Sequence, residues 1–389
     1  MASRLHGLGT TIFAEMSALA VATGSINLGQ GFPDTDGPAS IAEAAARAIL
    51  EGRGNQYPPG PGIPQLRRAI TDHQADWYRL DYDPDTEVLV TAGATEAIAA
   101  ALLGLVDPGD EVIAFEPYYD SYAACIAMAG GVRVPATLRP PTGSQPRWHP
   151  DLDALAAAIS SRTKVLLINS PHNPTGMVLN DAELRRIALL AIEHDLIVIT
   201  DEVYEHLVFE GSHIPMATLP GMRERTVCIS SAGKTFSFTG WKIGWVTAPA
   251  QLVAAVRTAK QFLTYVSGGP FQYAVAEALR LPGDYYCELR ESLRARRDLL
   301  AEGLARIGFG VSVTEGTYFI TTDIRPLGVQ DGLAFCRALP ERCGVVAIPN
   351  AVFYDDKDAG AAFVRFTFCK KTEVLDEALE RLAVLAERA

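Results

Sequence analysis

Ser230-Ser231-Ala232-Gly233-Lys234-Thr235-Phe236-Ser237-Phe238-Thr239-Gly240-Trp241-Lys242 is the stretch on which the reading of this chain turns. A β-branched run, Thr226-Val227-Cys228-Ile229, precedes it and a second strand-like run, Ile243-Gly244-Trp245-Val246-Thr247, follows, so it reads as a loop joining two buried strands. Packing is a poor reason for a lysine in such a place. A lysine amine becomes a useful nucleophile when its pKa is lowered, above all toward carbonyl compounds, with which it forms a Schiff base. Lys234 is therefore the first candidate catalytic residue.

Outward from this loop, from about residue 87, short apolar strands alternate with helices, the signature of a sheet wound by crossover helices. Strands are expected at Val88–Val90, Val112–Phe115, Val165–Ile168, Leu196–Ile199, 226–229 and 243–247. Helices are expected at 95–106, 119–129, 151–160 and 181–194, the last with Asn180 as N-cap and Glu183 placed for a capping box. Two more helices, 39–50 and 64–79, flank the extended loop Asn55-Gln56-Tyr57-Pro58-Pro59-Gly60-Pro61-Gly62. Arg139 to Pro146 reads as a surface loop. Ile12, Met16 and Leu19 mark one face of a short N-terminal helix, followed by the turn-rich Asn27-Leu28-Gly29-Gln30-Gly31-Phe32-Pro33-Asp34, a connecting loop or a place where backbone approaches a ligand. Beyond about 250 the helices lengthen, and strands near 319–324 and 363–368 with a last helix near 372–387 suggest a smaller α+β unit. Arg294, Arg296 and Arg297 read there as a solvated helix face.

Composition is that of an ordinary globular enzyme, 48% hydrophobic and 21% charged over 389 residues. A formal net charge of −12 argues against nucleic acid or an anionic membrane as partner. The longest apolar run considered, Ala97 to Val106, is too short to span a bilayer and ends at Asp107. Arg4 before Ile12-Phe13-Ala14 imitates a signal peptide, but Glu15 interrupts it. Cys125, Cys228, Cys287, Cys336, Cys343 and Cys369 form no CxxC pair and read as buried reduced thiols, which points to the cytoplasm. No metal, triad or Walker motif emerges.

In a wound sheet, ligands sit beyond the carboxyl ends of the strands. After the first strand, Gly93-Ala94-Thr95 opens a helix and offers backbone N–H groups to a phosphate, although an ordinary turn reads the same way. After the second comes Glu116-Pro117-Tyr118-Tyr119-Asp120-Ser121-Tyr122, where an aromatic ring can stack on a flat heterocycle; core packing is the simpler account of Tyr118 and Tyr122. Asn173 lies in the proline-fixed loop after the third. Asp201-Glu202-Val203-Tyr204 ends the fourth: an aspartate there either caps the next turn or faces a ring nitrogen that it keeps protonated, with the Tyr204 hydroxyl beside it. Ser231 and Lys242 flank Lys234.

Taken in this order, the motifs resemble those of the fold type I, class I/II aminotransferases, which depend on pyridoxal 5'-phosphate (PLP), over almost the whole chain. The resemblance implies an α/β large domain with a mostly parallel seven-stranded sheet sandwiched by helices, spanning 38–280, and a smaller α+β domain built from 1–37 and 281–389. It implies that Lys234 binds PLP covalently and later shuttles a proton, that Asp201 pairs with the pyridine nitrogen, that Asn173 and Tyr204 hold the phenolic oxygen, and that Tyr119 stacks on the ring. Gly93, Ala94, Thr95, Ser231 and Lys242 would hold the phosphate, Lys242 standing where many relatives carry arginine. Arg365 would grip the substrate carboxylate with help from Asn173 and the Gly31 backbone, and Tyr57 would reach the phosphate of a neighbouring subunit in a homodimer with shared sites.

Within that family, the passages at 27–34, 116–122 and 239–245 look most like the branch of kynurenine, methionine and N-succinyldiaminopimelate aminotransferases. Gln56 to Gly62, Ala92 to Ala97 and Arg365-Phe366-Thr367-Phe368-Cys369-Lys370 look closest to the last. Ser267 and Gly268 stand where the kynurenine enzymes align aromatic and imidazole groups, so a roomier pocket is expected. The expected activity moves an amino group between an L-amino acid and a 2-oxo acid by a ping-pong mechanism. The alternatives are a kynurenine or methionine enzyme with cysteine-conjugate β-lyase activity and a non-catalytic PLP-binding regulatory module. The second usually carries a basic helix-turn-helix domain upstream, for which the first 40 residues leave no room. A dehydrogenase is weaker, since Gly29-Gln30-Gly31 does not continue into GxGxxG.

Overall fold

The computed structural model describes residues 2–7, 9, 11–143 and 145–388. Seven strands build its main sheet: β1 (Val88–Thr91), β2 (Glu111–Glu116), β3 (Val132–Arg139), β4 (Thr163–Asn169), β5 (Ile197–Asp201), β6 (Thr226–Ser231) and β7 (Gly244–Thr247), in the order β1-β7-β6-β5-β4-β2-β3. The pairs β6-β5, β5-β4, β4-β2 and β2-β3 are parallel, and β7 runs against both its neighbours. A two-residue strip, His149–Pro150, extends the β3 edge. The fold is the mostly parallel α/β sheet expected. Its central strands are continuous runs of Val, Ile and Leu because helices cover both faces and leave no polar side.

The predicted strands and helices agree with the observed ones to within a few residues. Helix Asp181–Glu193 carries the capping box, with the Glu183 N–H donating to Asn180 Oδ1 and the Asn180 N–H to Glu183 Oε2, both at 2.9 Å. Strand β3 was not foreseen, because Arg133 and Pro135 interrupt its apolar pattern. Proline is tolerated at Pro135 because β3 is an edge there: the outer strip pairs only with Leu138 and Arg139. The 139–146 segment is a largely exposed loop, with Ser144 outside the described residues.

The C-terminal part carries a four-stranded antiparallel sheet, Gly310–Val311, Phe319–Asp323, Phe363–Thr367 and Ile348–Pro349 in that order. Ile26–Asn27 pairs in parallel with Val345–Val346. One apolar core joins Ile12, Met16 and Leu28 of the N-terminal segment to Leu300, Phe366 and Leu375 of the C-terminal part, and takes in Val203 and Tyr204 from the turn after β5.

Two sequence expectations need correction. Arg294, Arg296 and Arg297 are half-buried rather than a solvated face, because their guanidinium groups donate to the carbonyls of Phe209, Lys370 and Thr314 and tie the long helix Gly283–Ile307 to its neighbours. The cysteines form no disulfide among the described residues, but Cys287 is exposed and Cys343 only half-buried. No described helix is long and apolar enough to cross a membrane.

Candidate active site

A cavity of about 360 Å³ opens where the ends of β1, β4, β5 and β6 meet the C-terminal sheet. Its lining includes Gly31, Gly93, Ala94, Thr95, Tyr119, Asn173, Asp201, Tyr204, Ser231, Lys234, Lys242 and Arg365. Of the residues singled out in the sequence, Tyr57 lies outside it: the ring is 83% exposed and packs edge-on against Tyr265 at 5.8 Å.

Lys234 sits in a single helical turn, Ala232–Thr235, which springs from the end of β6 in place of the plain loop expected. Its Nζ lies 3.5 Å from the Gly31 carbonyl oxygen and 5.4 Å from the centre of the Tyr318 ring. Burial brings the amine down to about 8, while the nearby Cys369 and Asp201 pull the other way. A substantial fraction is thus neutral near pH 8, the form that attacks a carbonyl.

Asp201, the last residue of β5, is 5% exposed. Burial pushes its carboxyl up to about 6, held there against hydrogen bonds that favour the carboxylate. The stronger of these comes from Tyr122, whose hydroxyl donates to Asp201 Oδ2 at 2.6 Å; the Val203 N–H approaches Oδ1 at 3.4 Å, the turn-capping contact of the alternative reading. Tyr122 therefore corrects the core-packing account: its ring is packed, but its hydroxyl has a site partner. Tyr118 stays in the core, its hydroxyl donating to Asp355. Asn169 is a second residue that sequence reasoning missed. From the end of β4 its amide donates to the Asp201 carbonyl and its Oδ1 accepts the Asn173 N–H at 2.7 Å, which fixes the Asn173 loop to the Asp201 strand.

At the other end, helix Gly93–Leu105 directs its first N–H groups into the cavity. Gly93 has φ +75°, and Lys242 is itself left-handed at φ 54°, which folds its side chain back over the helix start. A Cβ on Gly244 would lie 2.5 Å from the Gly93 carbonyl carbon, so only glycine lets the two backbones meet. Free N–H groups, the Ser231 hydroxyl and the Lys242 ammonium make this end an anion cradle.

Arg365 projects inward from the strand Phe363–Thr367 and is 1% exposed. Its Nη1 donates to Asn173 Oδ1 at 2.8 Å and its Nη2 to the Gly29 carbonyl at 2.7 Å, and the guanidinium lies 4.0 Å from the centre of the Phe319 ring. Nε has no partner among the described residues, and burial lowers the group to about 10. Against Lys234, Lys242 and Arg365, Asp201 is the one carboxylate lining the cavity among the described residues. The site is thus built for anions at two ends, with a nucleophilic amine and a buried acid between them.

Ser267 and Gly268 do not line this cavity. Gly268 has φ +58° and a Cβ there would strike Ile243, so its glycine already has a local backbone reason.

Known proteins are similar to this chain over nearly its whole length. The family model described as aminotransferase class I and II matches residues 23–382. The chain is 56% identical, over 99% of its length and 98% of the relative, to a probable N-succinyldiaminopimelate aminotransferase of Mycobacterium tuberculosis. It is 41% identical, over 98% of both chains, to methionine aminotransferase of Escherichia coli. The structure of the N-succinyldiaminopimelate aminotransferase from Mycobacterium tuberculosis superposes with a TM-score of 0.96 at 57% identity, covering 99% of this chain and 100% of that one. With the family matched over nearly the whole sequence and the fold shared with its solved members, the chain belongs to the class I and II aminotransferases.

Proposed function

We propose that this aminotransferase works with PLP bound at Lys234 and takes N-succinyldiaminopimelate and a 2-oxo acid as its substrate pair. The observation that carries the cofactor assignment is the meeting, in one cavity, of a desolvated lysine, a buried carboxylate and an anion cradle. The fit is supported by the close backbone approach of Gly93 and Gly244, which shapes a cradle for a phosphate rather than for a side chain. When bound, PLP supplies an electron sink for the bond broken at the substrate α-carbon.

This chain's residues do the rest. Lys234 binds the cofactor and, once released, moves the proton at the α-carbon. Asp201, oriented by Tyr122, would keep the ring nitrogen protonated. Asn173 and Tyr204 would hold the phenolic oxygen, Tyr119 would stack on the ring, and Gly93, Ala94, Thr95, Ser231 and Lys242 would hold the phosphate. Arg365, whose Nε has no partner among the described residues, takes the substrate α-carboxylate beside the Gly31 backbone. Asn173 joins both ends, since its side chain already orients Arg365.

The substrate assignment rests on the 56% identity to the Mycobacterium tuberculosis relative. Methionine or kynurenine as donor is the second reading, favoured by the Escherichia coli relative at 41%; nothing in these relatives supports a non-catalytic module. We further infer a large unit at 38–280, a smaller one from 1–37 with 281–389, and a cytoplasmic homodimer in which the exposed Tyr57 serves the partner's phosphate site. The shared core of N- and C-terminal residues supports that division.

The test mixes purified holoenzyme, without acceptor, with N-succinyldiaminopimelate, glutamate, methionine and kynurenine, and follows the cofactor absorption. N-succinyldiaminopimelate is expected to change it fastest together with glutamate; faster change with methionine or kynurenine overturns the substrate assignment. Borohydride reduction of the holoenzyme, followed by mass analysis of the peptides, should add at Lys234 the mass of the cofactor less one water plus the two hydrogens of reduction. In Lys234→Ala that increment should vanish, and its persistence would remove the central residue of this reading.

A further inference from the structure

Behind the turn that follows Asp201, on the side away from the cavity, three potential metal ligands converge from distant parts of the sequence. His73 comes from helix Pro64–Tyr78, and Glu205 and His206 from the turn itself. The two imidazoles face each other through Nε2 at 2.8 Å, His206 Nε2 lies 4.0 Å from Glu205 Oε2, and the three ligand atoms fall within 4.8 Å of one another. His73 is 4% and Glu205 5% exposed, so their geometry is fixed by packing rather than by solvent.

We propose that His73, His206 and Glu205 form a binding site for one divalent transition-metal ion, distinct from the catalytic cavity.

Three observations carry this. First, nitrogens about 2.0–2.1 Å from one metal stand about 2.9 Å apart when they subtend a right angle. The observed 2.8 Å therefore matches the nitrogen–nitrogen separation of neighbouring positions of an octahedral or square-planar centre, and each ring turns from its partner toward a common point to reach it. Glu205 Oε2, 4.0 Å from His206 Nε2, closes on the pair together with the Tyr78 and Ser230 hydroxyls that hold the carboxylate. Second, the carboxylate is already oriented as a ligating one usually is: Tyr78 donates to Oε2 at 2.6 Å and Ser230 to Oε1 at 2.5 Å. Third, two buried carboxyl groups stand here with no lysine or arginine beside them. Among the described residues neither Glu205 nor the adjacent Glu202 has a Lys or Arg ion pair; their charged-group contacts are His206 and His213. In the hydrogen-bonded pair one imidazole carries its proton on Nε2. On metal binding that proton moves to Nδ1, so both Nε2 atoms coordinate and no proton need leave the cluster.

A bound ion would clamp helix Pro64–Tyr78 to the turn that begins at Asp201. The probe is Co²⁺ added to untagged holoenzyme stripped with a chelator. Expected are one Co²⁺ per chain, ligand-field absorption beyond the cofactor bands, and a rise in the thermal unfolding midpoint. His73→Gln, whose amide still hydrogen-bonds His206, and Glu205→Gln should each weaken Co²⁺ binding by more than about tenfold, while His213→Gln leaves it unchanged. Absence of saturable binding, or wild-type affinity in His73→Gln, overturns the assignment and places any Co²⁺ elsewhere on the protein. Should the substituted proteins not fold, anomalous diffraction from wild-type crystals soaked in Co²⁺ decides: a peak between His73 and His206 supports the site, and its absence there refutes it.

Discussion

Replacing Asp201 by asparagine should make the cofactor-free protein more stable while disabling it. The carboxyl is buried and pushed up to about 6 from an ordinary 3.8. In the native state it keeps its proton to higher pH than in the unfolded chain, so the folded state loses stability as pH rises from about 4 to about 6. The full penalty stands at neutral pH. The gap between the two values corresponds to about 3 kcal/mol. An asparagine has the same shape, can still accept the Tyr122 hydrogen bond and carries no charge to desolvate. The excess stability of Asp201→Asn over wild type should therefore be about 1.5 kcal/mol at pH 5 and about 3 kcal/mol at pH 7.5. Urea midpoints of the two cofactor-free proteins, at matched protein concentration because subunit association shifts them, measure the difference. Added PLP should reverse the order, since the wild type alone offers the ring nitrogen a carboxylate. A gap that does not widen with pH, or a lower midpoint for the asparagine protein at pH 7.5, would refute the argument.

Three further outcomes follow from the same geometry. Covalent attachment of PLP to cofactor-free protein, followed by borohydride trapping, should accelerate with pH through a midpoint at about 8; a midpoint at the ordinary lysine value of 10.5 would mean that burial does not activate the amine. Arg365→Lys keeps the charge but loses the fork that reaches both Asn173 and Gly29, at a cost of about 1.5–3 kcal/mol. It should raise KM for the amino acid by about ten- to a hundredfold with little change in PLP affinity, and an equal loss of both would contradict the assignment. Gly31→Ala inserts a methyl group into the Phe319 ring and within 2.8 Å of Tyr318. It should lower stability by about 1–3 kcal/mol and depress kcat/KM, because Phe319 is the ring that stacks on Arg365; wild-type kinetics would show that the strand gives way freely.

The legible parts of the sequence were those whose meaning is local. Alternation of apolar runs with helices announced the wound sheet, and the residue after each strand end could be inspected because strands of this kind present their carboxyl ends to ligands. Gly93, Asp201 and Lys234 were found that way. Tyr122 and Asn169 were not, since their roles depend on partners fixed only by folding: Tyr122 meets Asp201 across 79 residues, and a tyrosine in a helix reads as packing until its hydroxyl has an address. Strand β3 was hidden by Arg133 and Pro135. The three arginines at 294–297 were misread because helical spacing shows which side chains share a face but not which carbonyls lie opposite. His73 and His206 are 133 residues apart, beyond any spacing rule for metal ligands.

The pairing of Ile26–Asn27 with Val345–Val346 has a consequence for how the protein is made. Synthesis delivers the N-terminal helix and the Gly29–Gly31 turn first, yet their partners are among the last residues to leave the ribosome. Until then the apolar face of Ile12 and Met16 lacks the C-terminal part of its core, and the Gly29 carbonyl waits for Arg365. Closing a loop of more than 300 residues is entropically slow to begin, so the growing chain passes through a stage in which the main sheet can form while its N-terminal end remains a chaperone substrate. A chain stalled before Val345 should therefore show rapid proteolysis near residues 12–28, and protection should appear once Val346 has emerged. The enzyme cannot be charged with its substrate grip piecemeal; that grip exists only after translation is nearly complete.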